Sequence, residues 1–189
     1  MEKPSRLFIP VDAEITLRLL EEADAPQLFE LIEHNRSHLR QWLPWVDYDT
    51  AVEDSRRFVK SSMQRYLDNE GFDPGILYQG QLVGIIGFHT VNWSNRQVEI
   101  GYWLAADFQG RGVMTRACRA MLNYAFRKLQ LNRVSIRCAT GNSRSRALPE
   151  RLGFTQEGIQ REGEWLYDHF VDLAVYSMLA LEWNALYPG

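Results

Sequence analysis

The stretch IGYWLAADFQGRGVMTRACRAML, residues 100–122, decides how this chain is interpreted. It begins as an apolar strand and ends with the spacing of an amphipathic helix. Between the two, Gly110 and Gly112 flank Arg111 in a tight turn. Backbone N–H groups at the start of a helix attract anions, and glycines allow a ligand to approach closely. The turn therefore predicts a phosphate-binding site.

Two common phosphate-binding motifs do not match this turn. A P-loop requires the pattern G-x-x-x-x-G-K-[ST], which the chain does not contain. A dinucleotide fingerprint requires a third glycine three residues after the second, and Thr115 occupies that position. The sequence therefore disfavours binding of NAD or FAD.

Size and composition predict one globular domain. The chain has 189 residues, of which 46% are hydrophobic and 24% charged. Its net charge of -3 argues against general nucleic-acid binding, which favours a basic surface.

Two cysteines, Cys118 and Cys138, form neither a disulfide framework nor a metal-binding set. The opening MEKPSRLFIP lacks the apolar run of a signal peptide and no segment has the length of a membrane span, so we expect a cytoplasmic protein.

Hydrophobic periodicity predicts a mixed α/β domain with the order β-ααα-βββ-α-β-α-ββ. Asp24 is expected to cap the first helix, Pro44 to end the second, and Gly153 to end the last one. Pro149 lies inside that last helix and should delay its start or make it irregular, since proline has no N–H. The predicted strands are 14–20, 75–78, 82–91, 97–104, 133–139, 154–161 and 170–179, and the predicted helices are 23–33, 36–43, 52–67, 112–128 and 142–152.

The turn also resembles a family signature. The string QGRGVM, residues 109–114, is similar to the Q/R-x-x-G-x-G/A motif of the GNAT superfamily of N-acetyltransferases, although Met114 replaces the final small residue. Downstream, NSRS at 142–145 and ERLGF at 150–154 resemble the family's N-x-x-S…E-K-x-G-F segment. LRQWLPW at 39–45 and FTQEG at 154–158 resemble the RimJ/RimL branch, which acetylates the N-termini of ribosomal proteins.

This resemblance implies a single-domain GNAT fold over residues 1–189, of the α/β (α+β) class, with a mixed central sheet flanked by helices. It implies acetyl-CoA as co-substrate and no metal. In the family, the turn amides hold the pyrophosphate, and the end of the preceding strand binds the pantetheine arm. The implied cofactor-binding residues are Trp103, Leu104, Gln109, Gly110, Arg111, Gly112, Val113, Met114, Thr115, Asn142 and Ser145.

The resemblance also suggests catalytic residues. Ser145 matches the family serine near the coenzyme sulfur and is the candidate acid for the departing thiolate, while it and Asn142 could equally cap the short helix. Glu164 is the candidate base for the acceptor amine. Glu162 and Glu99 are alternatives, and Glu162 would share a strand face with Glu164.

Other residues have weaker claims to a role. An N–H near Leu104 would polarise the thioester carbonyl. His89, at the end of an apolar strand, is more plausibly structural than catalytic, and Cys138 either fills space or forms a disulfide with CoA. Trp42 and Trp45 could form walls of an acceptor channel.

The expected activity is direct acetyl transfer from acetyl-CoA to a primary amine, most plausibly a ribosomal-protein N-terminus. An α-amine, with a pKa of about 7.7–8.0, loses its proton more readily than lysine at about 10.4. The alternatives are a small-molecule amine (a polyamine, amino acid or aminoglycoside) and a CoA-binding regulatory module without turnover. Family likeness further suggests a homo-oligomer, a dimer or higher. The net charge and the lack of a segment long enough to span a membrane predict neither nucleic acid nor membrane as partner.

Overall fold

A computed structural model of the chain describes residues 7–188. Residues 1–6 and Gly189 lie outside the described part, so most of the segment MEKPSRLFIP, where no signal peptide is expected, is not described. The described residues form an eight-stranded sheet in the order β1-β2-β3-β4-β5-β6-β8-β7, with helices on both faces. The predicted mixed α/β architecture is confirmed.

The elements follow the predicted order except that β1 and α5 were not predicted and that two predicted helices form one. The strands are β1 (Phe8–Pro10), β2 (Ile15–Leu19), β3 (Pro74–Tyr78), β4 (Gln81–Phe88), β5 (Gln97–Leu104), β6 (Arg133–Ala139), β7 (Thr155–Leu166) and β8 (His169–Leu179). The helices are α1 (Ala25–Leu39), α2 (Val52–Leu67), α3 (Val113–Asn123), α4 (Ser143–Leu152) and α5 (Ala180–Leu186), and a π-helical turn (Tyr124–Lys128) extends α3.

Two predictions near the N-terminus are wrong in detail. The helices predicted at 23–33 and 36–43 form one helix, α1, because no proline or glycine interrupts residues 34–39 and Leu39 is buried against the same core as Leu28 and Ile32. Asp24 stands at the N-cap position, but its carboxylate accepts from the Glu21 amide and from Arg18 instead of capping α1.

Helix α4 runs through Pro149 without starting late. Its N-cap is Asn142, whose side-chain oxygen accepts from the Ser145 amide at 3.1 Å. Gly153 ends the helix with φ +84°, a conformation that glycine adopts without strain. The predicted irregularity is absent because the proline removes only one hydrogen bond, the one to the carbonyl of Ser145 four residues earlier.

The central strands of the sheet are buried on both faces, whereas the edge strand β7 is mostly exposed. On one face, Leu82 and Ile85 of β4 pack against α1 and α2. On the other face, Val83, Ile86 and Phe88 of β4 pack in the same core as α3 and α5. This explains the nearly continuous apolar run of β4. Within residues 7–188, no helix has the length and apolar character to cross a membrane.

One pair of strands differs from all the others. Each neighbouring pair in the sheet is antiparallel except β5 and β6, which are parallel and pair only over Gln97–Arg133, Val98–Val134 and Glu99–Ser135. Beyond Glu99, β5 continues beside β4 while β6 continues beside β8. The carboxyl-terminal halves of β5 and β6 are therefore unpaired with each other, and they leave a gap in the sheet.

An ion pair and a hydrogen bond connect β6, β7 and β8, the three strands on the far side of this gap. Arg133 on β6 donates to Glu157 on β7 at 2.7 Å, and Ser177 on β8 donates to the same carboxylate at 2.8 Å. The Arg133 hydrogen bond lowers the pKa of Glu157 from 4.5 to about 2.

We predict that Glu157→Gln lowers the free energy of unfolding at pH 7, and that the difference from wild type becomes smaller as the pH falls. Because the folded-state pKa is depressed, the stabilisation by Glu157 is complete above pH 4.5 and fades as the pH falls towards 2. Urea unfolding at pH 7 and pH 3 measures this. A difference between variant and wild type that stays constant or grows at pH 3 would contradict the assignment.

Candidate active site

The gap between β5 and β6 exposes main-chain groups that can bind an extended ligand. The His89 amide donates to the Glu99 carbonyl and the Ala105 amide to the Val83 carbonyl, which fixes the alternation of the β4–β5 ladder. By this alternation, Trp103 pairs with Ile85 through its main chain. The N–H and C=O groups of Tyr102 and Leu104 instead face the gap, where the pairing to β6 has ended.

The sequence-predicted phosphate turn lies where the gap opens at the end of β5. Gly110 and Gly112 have φ of +72° and +71°, and a Cβ placed on either would meet no atom within 4 Å. Within residues 7–188, the amides of residues 110–115 have no hydrogen-bond acceptor. Six consecutive N–H groups at the start of α3 form a site for a dense anion such as a pyrophosphate.

The side chain of Gln109 fixes the start of this turn. Arg144 donates to its oxygen at 2.7 Å, which leaves its nitrogen to donate to His38 Nε2 at 2.8 Å. Gln109 thus links the end of α1 to the start of α4, and His38 gave no sequence signal of this role. Arg111 is exposed and stacks over the Phe108 ring with 5.3 Å to the centroid. Among the other predicted ligands, Thr115 accepts from Arg151 at 3.0 Å.

A cavity of about 820 Å3 continues from the gap between β5 and β6. It lies between the sheet and the segment that connects α1 to α2, residues 40–51, which is called the α1–α2 segment below. Trp42, Trp45 and Trp103 contribute aromatic walls, with the Trp45 and Trp103 rings 6.2 Å apart. Tyr167, at the tip of the β7–β8 hairpin, donates to the Leu43 carbonyl at 2.5 Å and holds the α1–α2 segment in place. The same cavity contains Asp49, Asp54, Arg57, Arg65, Asp73, His89, Glu99, Tyr102, Arg137, Cys138, Asn142, Ser145 and Glu164.

Ser145 lies at the junction of the gap and the cavity. Its hydroxyl is 3.1 Å from the Tyr102 hydroxyl, which also donates to the Ser145 carbonyl at 3.0 Å. Asn142 uses its side-chain oxygen to cap α4, so its nitrogen is the part available to a ligand. Both residues therefore combine a structural role with a position on the cavity wall.

The three candidate carboxylates have different environments. Burial would raise the pKa of Glu99, but hydrogen bonds from His89 and Arg137 outweigh it and lower this pKa. The Arg137 Nε lies 2.7 Å from the Glu99 carboxylate. Burial raises the pKa of Glu164, assisted by the negative charge of Glu99 and opposed by Arg137. In the described part of the chain, Glu164 has no hydrogen-bond donor, which leaves it able to accept a proton from a ligand.

Glu162 does not share the surroundings of Glu164. The register of β7 and β8 shifts between Gln160 and Glu164, and Glu162 lies in this bulge with φ +50°. Its side chain is exposed and lies outside the cavity wall. The regular alternation expected for this strand is wrong, because the bulge inserts residues that are not paired in the register with β8.

His89 and Cys138 both lie on the cavity wall. His89 contacts Glu99, with 3.4 Å between Nδ1 and the carboxylate, and its Nε2 would lie 2.6 Å from a Cβ placed on Gly101. Burial raises the pKa of the Cys138 thiol, which favours the neutral form. No cluster of metal-ligating residues occurs between residues 7 and 188.

Comparison with known proteins gives the family. The model of the acetyltransferase (GNAT) domain matches residues 14–155. The chain belongs to the GNAT acetyltransferases. As a member, it is an N-acetyltransferase that uses acetyl-CoA.

Named relatives place this GNAT acetyltransferase beside the ribosomal-protein enzymes. It is 44% identical over 175 residues to the Bacillus subtilis protein named "Putative ribosomal N-acetyltransferase YdaF", covering 92% of this chain and 96% of that one. It is 29% identical to the ribosomal-protein-serine acetyltransferase of Escherichia coli, over 90% of this chain and 96% of that one. The predicted resemblance to the RimJ/RimL branch is confirmed.

Solved structures agree with this assignment. The ribosomal L7/L12 α-N-protein acetyltransferase RimL, in complex with CoA joined to a cysteine by a disulfide, superposes with a TM-score of 0.89 at 29% identity. That match covers 92% of this chain and 98% of RimL. The microcin C7 self-immunity acetyltransferase MccE, in complex with acetyl-CoA and AMP, superposes with a TM-score of 0.87 at 30% identity, over 94% and 98% of the two chains. The expected GNAT fold is confirmed.

The turn amides make a charge-specific prediction. Gly112→Asp should weaken CoA binding by about tenfold or more relative to Gly112→Asn, because unit charges at a few ångströms repel by about 1–4 kcal/mol near a protein surface. Asparagine and aspartate are nearly the same size, and both tolerate the positive φ of this position. Titration calorimetry measures both affinities. Equal affinities would show that the pyrophosphate lies elsewhere.

Proposed function

We propose that the chain transfers acetyl from acetyl-CoA to the α-amino group of a protein N-terminus, with a ribosomal protein as acceptor. The observation that carries this proposal is the half-buried Glu164 on the cavity wall, with no hydrogen-bond donor in the described chain and with a raised pKa. A carboxylate of this kind can take a proton from an α-ammonium group, which is far less basic than a lysine ammonium.

The cavity wall offers an acceptor one accessible carboxylate without an arginine partner. Three of its carboxylates have an arginine partner: Asp54 with Arg57, Asp73 with Arg65, and Glu99 with Arg137. Glu164 and Asp49 have no such partner, and Asp49 accepts from the Ser55 hydroxyl at 3.0 Å. Asp49 is almost completely buried, so Glu164 is the carboxylate that an acceptor ammonium group would meet.

The proposed roles follow the geometry. The amides of residues 110–115 hold the pyrophosphate, and the Tyr102 and Leu104 main-chain groups hold the pantetheine arm as an added strand. The Leu104 N–H polarises the thioester carbonyl. The amine nitrogen attacks this carbonyl, the C–N bond forms, the C–S bond breaks, and Glu164 receives the amine proton. The Ser145 hydroxyl passes its proton to the departing thiolate, and the proton on Glu164 returns to Ser145 through solvent, so that a neutral amine and acetyl-CoA give the amide and the CoA thiol.

Two features of the chain stay predictions. The exposed Trp165 and Phe170 rings, 4.8 Å apart on the β7–β8 hairpin, are compatible with the expected homo-oligomer. The cytoplasmic location is the other, and it is expected from the sequence alone.

Labelled acetyl-CoA tests the acceptor class. The protein is incubated with ribosomal proteins, peptides, polyamines and aminoglycosides, and the label is located by mass spectrometry. We expect label on an N-terminal α-amine. Label found on small amines alone would overturn the proposal and favour the small-molecule alternative.

Exchange of the three glutamates tests the base. Glu164→Gln should lower kcat by about a hundredfold, the lower end of general-base effects, with little change in acetyl-CoA affinity. Glu162→Gln is the matched control outside the cavity and should retain activity. Glu99→Gln should lower kcat less than Glu164→Gln, since Glu99 is already paired with Arg137.

The pH profile gives the second readout. Wild-type kcat should fall as the pH drops through the pKa of Glu164, at a pH above the ordinary 4.5, because only the ionised carboxylate accepts the proton. This limb should vanish in Glu164→Gln. Retention of the limb in that variant, with its loss in Glu99→Gln, would transfer the role to Glu99.

A further inference from the structure

Tyr102 reaches across the gap from β5 and contacts α4 with its hydroxyl. The phenol oxygen lies 3.0 Å from the Ser145 carbonyl, 3.1 Å from the Ser145 hydroxyl and 3.8 Å from the Cys138 sulfur. The proposed reaction uses the Ser145 hydroxyl but does not use this phenol. Its contacts therefore require their own explanation.

Pro149 explains why the Ser145 carbonyl accepts from a side chain. In an α-helix this carbonyl would accept from the N–H of the residue four positions later. That residue is Pro149, which has no N–H, and α4 nevertheless continues to Leu152. The missing donor leaves the carbonyl to Tyr102, so a proline and a tyrosine that are 47 positions apart act on the same atom.

This contact determines how the phenol meets the Ser145 hydroxyl. A carbonyl oxygen only accepts, so the single Tyr102 proton is directed to it. Towards the Ser145 hydroxyl, the phenol oxygen therefore accepts and the serine donates. Burial raises the pKa of Tyr102 well above 10, so the phenol keeps its proton. The Ser145 amide is held independently by Asn142.

We infer that Tyr102 is a positioning residue that holds the Ser145 hydroxyl until a thiolate forms beside it. This inference rests on the proposed acid role of Ser145. While the thioester is intact, its sulfur is a weak acceptor and the serine donates to Tyr102. As the C–S bond breaks, negative charge develops on the sulfur, and a hydrogen bond to this charged acceptor is about twice as strong.

The consequence is a contact made only in the transition state. The serine hydroxyl has a partner in the ground state, so it adds little to the binding of intact acetyl-CoA. Interactions that strengthen only in the transition state raise kcat without lowering KM. Removal of the phenol oxygen should therefore change kcat and leave KM for acetyl-CoA nearly constant.

A double-mutant cycle of Tyr102→Phe and Ser145→Ala tests this role. Tyr102→Phe should lower kcat by about tenfold or more with KM for acetyl-CoA within about twofold. In the Ser145→Ala background, Tyr102→Phe should lower kcat by less than about twofold further, because no hydroxyl remains to be positioned. The Ser145 carbonyl is still present in that background. An equal loss in both backgrounds would show that Tyr102 merely ties down α4, and would overturn the inference.

Tyr176→Phe is the matched control. Tyr176 is also buried, and its hydroxyl also anchors α4, donating to Glu150 at 2.8 Å and accepting from Arg146 at 3.0 Å. It has no contact with the Ser145 hydroxyl. Its substitution should leave kcat unchanged. A loss as large as that of Tyr102→Phe would mean that any anchor of α4 matters equally, which would also overturn the inference.

The cycle is measured as release of the CoA thiol, with whichever amine the wild type acetylates, so a wrong acceptor class does not affect it. A crystal structure of Tyr102→Phe with CoA provides a readout without turnover. We expect the Ser145 hydroxyl to leave its wild-type rotamer. An unchanged rotamer would contradict positioning by Tyr102, even if no acceptor were found.

Discussion

The site depends on the short parallel pairing of β5 with β6. Three residue pairs join these strands, after which each follows a different antiparallel neighbour. The unpaired carboxyl-terminal halves create both the ligand gap and the space behind it, since a fully paired sheet would leave no main-chain groups for a ligand. Every group with a proposed role in transfer lies on the edge of this gap or on the cavity that continues from it.

The two sides of the gap carry different functions. On one side, β5 leads to the glycine turn, and this turn and the start of α3 present six amides without acceptors in residues 7–188. On the other side, β6 leads to α4, which brings Ser145 towards Tyr102. Gln109 joins both sides through Arg144 and also contacts α1 through His38. The position of the phosphate turn is thus linked to that of the serine.

Much of this arrangement could be predicted from sequence because it depends on local rules. The glycines predicted the turn, the apolar periodicity predicted the sheet and its flanking helices, and Asn142 with Gly153 marked the ends of α4. The single helix α1 was missed because residues 34–38 are polar and show no apolar periodicity. The helix continues through them because Leu39 is buried in the same cluster as Leu28 and Ile32.

The ranking of the carboxylates required the tertiary structure. Glu99 is neutralised by Arg137, which is 38 positions later in the chain, and the bulge at Glu162 depends on the pairing of two strands. The pairing of Tyr102 with Ser145 gave one sequence signal, the proline four residues after Ser145, but the partner of that carbonyl could not be predicted.

A crystal structure of the protein with bound CoA tests the central claim most directly. We expect the pyrophosphate within hydrogen-bond distance of the amides of residues 110–115, and the pantetheine arm bonded to the main chain of Tyr102 and Leu104 in the gap. A coenzyme that binds outside the gap, with β5 and β6 unoccupied between their carboxyl-terminal halves, would contradict the account.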